Sequence, residues 1–189
     1  MVVAGWRILN PPVGLDDIDS INFALGIQDF DVAAHRPHPP GYPIIIALGK
    51  LAAAVGGGRA SALAFWSGLA AALAPFPLLA LFSRLEPGPS ARSRAVLATL
   101  LTVVQPILWF TAGRPMSDLP GLFAALCTQA LLVAAFQRGR AGAVATADAG
   151  RLIVAGALAA GLSIGFRSQN AWLTLPITPN AFPPPAPSR

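Results

Sequence analysis

Charged residues are scarce in this sequence. Asp, Glu, Lys and Arg make up 11% of the 189 residues, while hydrophobic residues make up 54%. Soluble domains carry roughly 25% charged residues. A chain with so few charges cannot cover its surface with solvated side chains, so the composition excludes an ordinary water-soluble domain. The apolar residues instead fall in blocks long enough to be considered as membrane spans.

Cysteines and basic clusters are also missing. The single cysteine, Cys127, lies inside an apolar block, so a disulfide framework is excluded and its expected role is packing. The 13 Lys and Arg residues are scattered between apolar blocks and form no basic face. We therefore expect no nucleic-acid partner. Scattered arginines of this kind are typical of the loops of membrane proteins, so membrane lipid is the expected partner.

Four uncharged segments predict an all-α integral membrane protein with about four transmembrane helices. The longest has 22 residues without a charge, enough for about 30 Å of hydrocarbon, and Pro75 and Pro77 are expected to kink it. Another apolar run, 43–56, is interrupted by Lys50 and is too short to span, so it predicts a helix lying in the outer membrane interface. The predicted spans are about residues 62–83, 95–112, 119–136 and 152–166.

Two arginine-rich loops set the expected orientation. The loops "SRLEPGPSARSR" and "QRGRAGAVATADAGR" each carry three arginines against one acid. The positive-inside rule places both in the cytoplasm. Residues 1–61, which precede the first span, and the loop "GRPMSDLPG" then lie on the extracytoplasmic side, as does the end of the fourth span.

Three closely spaced carboxylates are the candidate catalytic residues. Carboxylates at a membrane surface suit a general base or ligands of a divalent metal ion. The alternative is that these acids cap and solvate a helix over 20–28, with Asp19 or Ser20 at the N-cap. The acids of "QDFD", residues 28–31, are interpreted as part of a turn after that helix. The candidate residues are Asp16, Asp17 and Asp19.

The stretch "HRPHPPGYP" holds the only two histidines of the chain. An arginine presents a fork of donors that matches phosphate, and a nearby histidine can donate to the same group, so Arg36 and His38 are candidate phosphate ligands. The alternative is that the stretch is only a proline-stiffened turn into the interfacial helix. His35 is expected to be a surface residue.

Two later loops bring further polar residues to the same side. Arginines are rare in outer loops, and those that occur there usually have an anionic partner. A lipid-linked phosphate is the candidate partner. These additional candidate substrate-binding residues are Arg114 and Asp118 in "GRPMSDLPG" and Arg167 and Gln169 in "FRSQNAW".

An acid motif, then "HPPGYP", then "RPMSDLPG" opening a later span, resembles the GT-C superfamily of membrane glycosyltransferases. The likeness is to the bacterial protein O-mannosyltransferase-like and lipid A aminoarabinose transferase-like group. Those enzymes use a polyprenyl-phosphate sugar donor and carry a catalytic aspartate in the first outer loop. The resemblance implies that Asp17 or Asp19 belongs to the acid motif, that His38 begins the second element, and that Asp118 is the later acid. It also implies an inner-membrane enzyme that acts on the extracytoplasmic side.

Members of that group have a span before the acid motif and several more at the other end. We therefore expect this chain to be a fragment of a larger GT-C bundle, with a disordered proline-rich tail at 177–189. Two other hypotheses stay open. One is a transporter or lipid-flipping fragment, which should carry ionisable residues at mid-span, and the predicted spans have none. The other is an inactive membrane remnant of a truncated gene.

Overall fold

The computed structural model describes residues 14–86, 88–139 and 146–175, and the predicted tail at 177–189 lies outside them. Within these ranges the chain is helical, and its β pairing is an isolated bridge between Asp31 and Arg36. The predicted all-α class is therefore confirmed. The helices are α1 (Ile18–Gln28), α2 (Pro43–Ala54), α3 (Arg59–Leu73), α4 (Pro75–Leu85), α5 (Ala91–Val103), α6 (Pro106–Ala112), α7 (Asp118–Gly139), α8 (Thr146–Phe166) and α9 (Asn170–Thr174).

Three of these helical stretches are long and apolar enough to cross a membrane. They are Arg59–Leu85, Asp118–Gly139 and Asp148–Phe166. The first joins α3 and α4, which meet at Ala74 because Pro75 has no amide hydrogen to continue the ladder. The α8 helix begins at Thr146, earlier than the predicted start at residue 152, and so reaches spanning length. These three predicted spans are confirmed as helices of sufficient length.

The segment predicted as a span over 95–112 is bent. It forms α5 and α6, whose axes differ by 56°. Pro106 disfavours helical geometry in the residue before it, and Gln105 accordingly has an extended ψ of 131°. The two helices together are long enough for a fourth, broken span. The span predicted over 95–112 therefore corresponds to this bent pair, and hydropathy alone does not register the bend.

The short helix α2 packs closely against α1 and α8, and a glycine lies at each of these two contacts. Its 12 residues give about 18 Å of helix, which is too short to cross about 30 Å of hydrocarbon. A Cβ atom at Gly49 would lie 2.6 Å from Ile27, and one at Gly165 would lie 2.7 Å from Ile44. Glycine at these two positions allows α1 and α8 to approach α2. The predicted short helix is confirmed.

The loops segregate to opposite ends of the bundle. At one end, the Gln137 side chain donates to the Arg84 carbonyl, 2.7 Å away, so the end of α4 meets the end of α7. At the other end, the Asn170 side chain donates to the Gly121 carbonyl, which joins the end of α8 to the start of α7. Arg84 and Arg138 therefore lie at the end opposite the predicted functional loops.

Apolar side chains remain exposed along the bundle. Val154, Leu158 and Leu162 form a stripe on α8 and are each more than half exposed. The stripe follows the four-residue spacing of one helix face. Exposed apolar area on this scale is stable in lipid rather than in water. This exposed apolar stripe and the three helices of spanning length suggest a membrane protein.

Candidate functional site

The acid motif begins α1 and caps it. Asp17 has extended backbone angles, and its Oδ1 accepts a hydrogen bond from the Ser20 amide at 2.9 Å. The Ser20 hydroxyl in turn faces the Asp17 amide, which completes a capping box. The helix therefore begins at Ile18, and the N-cap is Asp17 rather than Asp19 or Ser20 as expected. The capping interpretation applies to Asp17, whose other oxygen is also occupied.

Asp17 is also the anchor of a long-range ion pair. Its Oδ2 lies 2.5 Å from Nη2 of Arg114, which is 97 residues away in the chain. The Arg114 guanidinium also lies over the Phe110 ring, 5.1 Å from the ring centre. The structure therefore joins the acid motif to the loop "GRPMSDLPG", and the two candidate residues belong to one cluster.

A second ion pair joins the start of α7 to the end of α8. Arg167 Nη1 donates to Asp118 Oδ1. The backbones must come close here, because a Cβ atom at Gly121 would lie 3.2 Å from both Arg167 and Asn170. Asn170 is buried and donates to the carbonyls of Gly121 and Ser163. Two candidate residues from different loops are thus brought together.

His38 and Tyr42 form the centre of the cluster. The His38 Nε2 atom lies 3.1 Å from the Tyr42 hydroxyl, and its Nδ1 atom lies 3.6 Å from Asp19 Oδ1. The second distance is longer than a hydrogen bond. Phe23 packs edge-on against Tyr42, with ring centres 5.0 Å apart. Both nitrogens of His38 therefore face protein groups, rather than the side chain of Arg36.

The Tyr42 hydroxyl lies near charged side chains from three parts of the chain, namely Asp19, Asp118 and Arg167. Burial raises the pKa of the Tyr42 hydroxyl above its ordinary value. Arg167 and Gln169 act in the opposite direction, whereas Asp19 and Asp118 raise the pKa further. Apart from this interaction with Tyr42, the Gln169 side chain is exposed. The hydroxyl stays protonated over the physiological range and can donate a hydrogen bond.

Sequence reasoning missed Tyr42, which was interpreted only as part of a turn. Two signals were available. Tyr42 is the only tyrosine of the chain, and it stands between glycine and proline at the start of an apolar helix. Its φ of 47° places this bulky residue in the left-handed region, which is rare for residues other than glycine. That backbone conformation is visible only in the structure.

Arg36 and Asp16 stand apart from the cluster. Arg36 pairs with Asp29 at 2.9 Å, near the end of α1 opposite Asp19. The structure therefore pairs Arg36 with Asp29 rather than with the groups around His38, and both side chains are largely open to solvent. Asp31 accepts hydrogen bonds from the Ala33 and Ala34 amides, as expected of a turn. Asp16 is exposed and makes no ion pair within the described ranges.

The three aspartates do not converge on one point. Asp17 is occupied by Ser20 and Arg114, Asp19 faces His38, and Asp16 points away to solvent. Across residues 14–86, 88–139 and 146–175, no group of three His, Cys, Asp or Glu residues could hold a metal ion. These three aspartates therefore do not form a shared set of ligands for the divalent metal considered from the sequence.

A groove of about 400 Å³ lies beside the cluster, between α6 and α7. Its apolar lining comes mainly from residues that also face outward, since Ile107 is 70% and Phe110 61% exposed. Polar groups enter it at the cluster end of both helices. The lining residues are Ile107, Leu108, Phe110, Thr111, Arg114, Asp118, Leu119 and Leu122.

Comparison of the chain with protein-family models, with curated proteins and with solved structures found no match. The geometry of the cluster and the groove therefore carries the functional argument.

Proposed function

We propose that this chain is part of a membrane glycosyltransferase of the GT-C type, which moves a sugar from a polyprenyl-phosphate donor to an acceptor hydroxyl at the outer face of the membrane. One observation carries the proposal. The groove between α6 and α7 combines apolar walls with the guanidinium of Arg114 and the carboxylate of Asp118. A lipid with an apolar tail and an anionic head group has a matching arrangement of apolar and charged parts.

The two ion pairs support a phosphate site. A guanidinium has five N–H donors, and each carboxylate partner occupies only part of this set. Asp17 and Asp118 hold Arg114 and Arg167 in place, so less side-chain entropy is lost when a phosphate binds. The proposed phosphate ligands are these two arginines, whereas Arg36 is paired with Asp29 just after α1.

Asp19 is the carboxylate best suited to act as the base. Asp17 has both oxygens occupied, whereas the Asp19 side chain is 46% exposed and, among the described residues, faces His38 alone. In the proposed reaction, the acceptor oxygen forms a bond to the anomeric carbon as the bond from that carbon to the phosphate oxygen breaks. The acceptor proton passes to Asp19, and the lipid phosphate leaves as an anion held by arginine. The anomeric configuration inverts.

Donor binding tests the phosphate site. The chain would be placed in nanodiscs, and binding of a polyprenyl phosphate would be measured by titration. Loss of a charge-assisted hydrogen bond costs about 1.5–3 kcal/mol, so Arg114→Gln should raise the Kd about 10- to 100-fold. Arg151→Gln is the matched control, because Arg151 pairs with Asp148 in an exposed position on α8. Equal affinities for the two variants would contradict the proposed site.

Sugar transfer tests the base. With a polyprenyl-phosphate sugar and an acceptor alcohol, Asp19→Asn should lower turnover about 100-fold or more while donor binding is retained. Asp148→Asn removes an exposed carboxylate at the other end of α8 and should keep the parental rate. Full turnover in Asp19→Asn would show that this carboxylate is not the base.

A further inference from the structure

We propose that Tyr42 is a positioning residue, which fixes the proton of neutral His38 on Nδ1 and so directs that N–H group toward Asp19. The tautomer assignment follows from the geometry alone. Its catalytic consequence, that His38 holds Asp19 in position as the base, rests on the proposed function. Neither Tyr42 nor this role for His38 follows from the sequence pattern.

The surroundings of the two ring nitrogens determine where the proton must be. Nδ1 is buried, and within the described part of the chain it makes no hydrogen bond. The carboxylate oxygen of Asp19 lies 3.6 Å from it. A lone pair on Nδ1 would face this negative charge and be repelled, whereas an N–H group there is attracted. The neutral ring therefore carries its proton on Nδ1.

Nε2 of the neutral ring must then accept a hydrogen bond, because it has no proton of its own. The Tyr42 hydroxyl, 3.1 Å away, is its partner. The raised pKa of the Tyr42 hydroxyl keeps this group protonated and able to donate. The charged groups around it are Asp19 on α1, Asp118 on α7 and Arg167 after α8. Hydroxyl, imidazole and carboxylate thus form one row.

Packing holds both rings in this arrangement. The centre of the Phe23 ring lies 5.9 Å from that of His38 and 5.0 Å from that of Tyr42, and the last two centres are 5.1 Å apart. Tyr42 adopts its left-handed backbone conformation at an energetic cost. Such conformations persist where surrounding contacts fix them, and here the fixed side chain points its hydroxyl at His38. The arrangement is therefore maintained before any ligand binds.

Nitrogen NMR of ¹⁵N-histidine-labelled protein tests the tautomer directly, since the chain has only two histidines. A His35→Gln variant assigns the spectrum, because His35 is exposed and outside the cluster. In the neutral ring of His38, the proton should lie almost entirely on Nδ1. A neutral ring with its proton on Nε2 would overturn the proposal.

The Tyr42→Phe variant removes the hydroxyl and keeps the ring that packs on Phe23. In it, the Nδ1–H fraction of His38 should fall measurably and the donor Kd should be unchanged. Sugar transfer should slow about tenfold, the loss expected for one neutral hydrogen bond. Thr128→Val is the matched control, because the Thr128 hydroxyl donates to the Ala124 carbonyl within α7, away from the cluster. An unchanged tautomer in Tyr42→Phe would overturn the proposal.

A conservative pair of substitutions separates positioning from mere packing. Asn places its amide nitrogen near the position of Nδ1, and Gln places its amide nitrogen near that of Nε2. His38→Asn should therefore retain several-fold more transfer activity than His38→Gln. The reverse order would contradict the proposal. If the Nδ1–H tautomer is found in a chain that transfers no sugar, only the proposed function fails, whereas transfer with an Nε2–H tautomer refutes only the role of Tyr42.

Discussion

Replacing Asp17 should separate its two structural roles by their free energies. Asp17→Asn keeps an N-cap acceptor for Ser20, because asparagine caps helices as well as aspartate does. It removes the charge that pairs with Arg114 at 2.5 Å. A hydrogen bond to a charged group contributes about 1.5–3 kcal/mol, and partial exposure of both side chains reduces this to about 1–2 kcal/mol. Asp17→Ala also loses the cap, which adds about 1 kcal/mol.

Unfolding by sodium dodecyl sulfate in mixed micelles measures these differences. The expected order of stability is parent, then Asp17→Asn, then Asp17→Ala. In a double-mutant cycle, Asp17→Asn and Arg114→Gln should be non-additive by about 1 kcal/mol, since each substitution removes the same pair. Asp148→Asn, in an exposed pair, should be close to neutral. Additive costs at Asp17 and Arg114 would refute the pair, and equal costs for Asn and Ala would refute the cap.

Three further predictions concern topology, titration and packing. A membrane-impermeant thiol reagent applied to cells should modify Ala34→Cys and spare Ser90→Cys; the reverse would place the arginine-rich loops outside. The absorbance of tyrosinate, followed against pH, should give a pKa for Tyr42 above the ordinary value of 10.0, because burial raises it. The stability that is present below about pH 10 should therefore be lost as the pH rises further. A midpoint at or below 10.0 would contradict the burial. Gly49→Ala should destabilise the protein by about 1–3 kcal/mol through overpacking, since the added Cβ would lie 2.6 Å from Ile27. Gly57→Ala, which adds its Cβ in open space, should have no such effect. Equal effects of the two substitutions would refute the close helix contact.

The helices were predictable because their signals are local. Apolar runs, proline positions and arginine-rich loops lie within short segments, and each segment forms the same helix wherever its neighbours are placed. The bend before Pro106 also had a local signal in the dipeptide Gln105–Pro106. It was missed because the segment was judged by its hydropathy. A local signal was likewise present at Asp17, since Ser20 stands at the spacing of a capping box.

The candidate site was predictable as a set of loops but not as a set of contacts. The sequence indicated that the loops containing His38, Arg114 and Arg167 would lie at one end, and the structure brings these three residues into one cluster. It did not indicate that Arg36 would pair with Asp29 instead. A proline-rich turn can direct neighbouring side chains to opposite sides, and residue order alone does not reveal the sides.

The sequence by itself determined the helical class, the approximate spans and the separation of arginine-rich loops from acidic ones, since composition and periodicity act over a few turns of chain. Only the tertiary structure decided which charges meet. Asp17 finds Arg114 across 97 residues because α1 packs on α2 and α3, and α3 in turn packs on α6 and α7, whose connecting loop holds Arg114. The close approach of α1 to α2 at Gly49 is part of that packing. The orientation of Tyr42 toward His38 likewise depends on Phe23 and on a left-handed backbone, which no neighbouring residue specifies. Pairing across such distances is a property of the packed bundle.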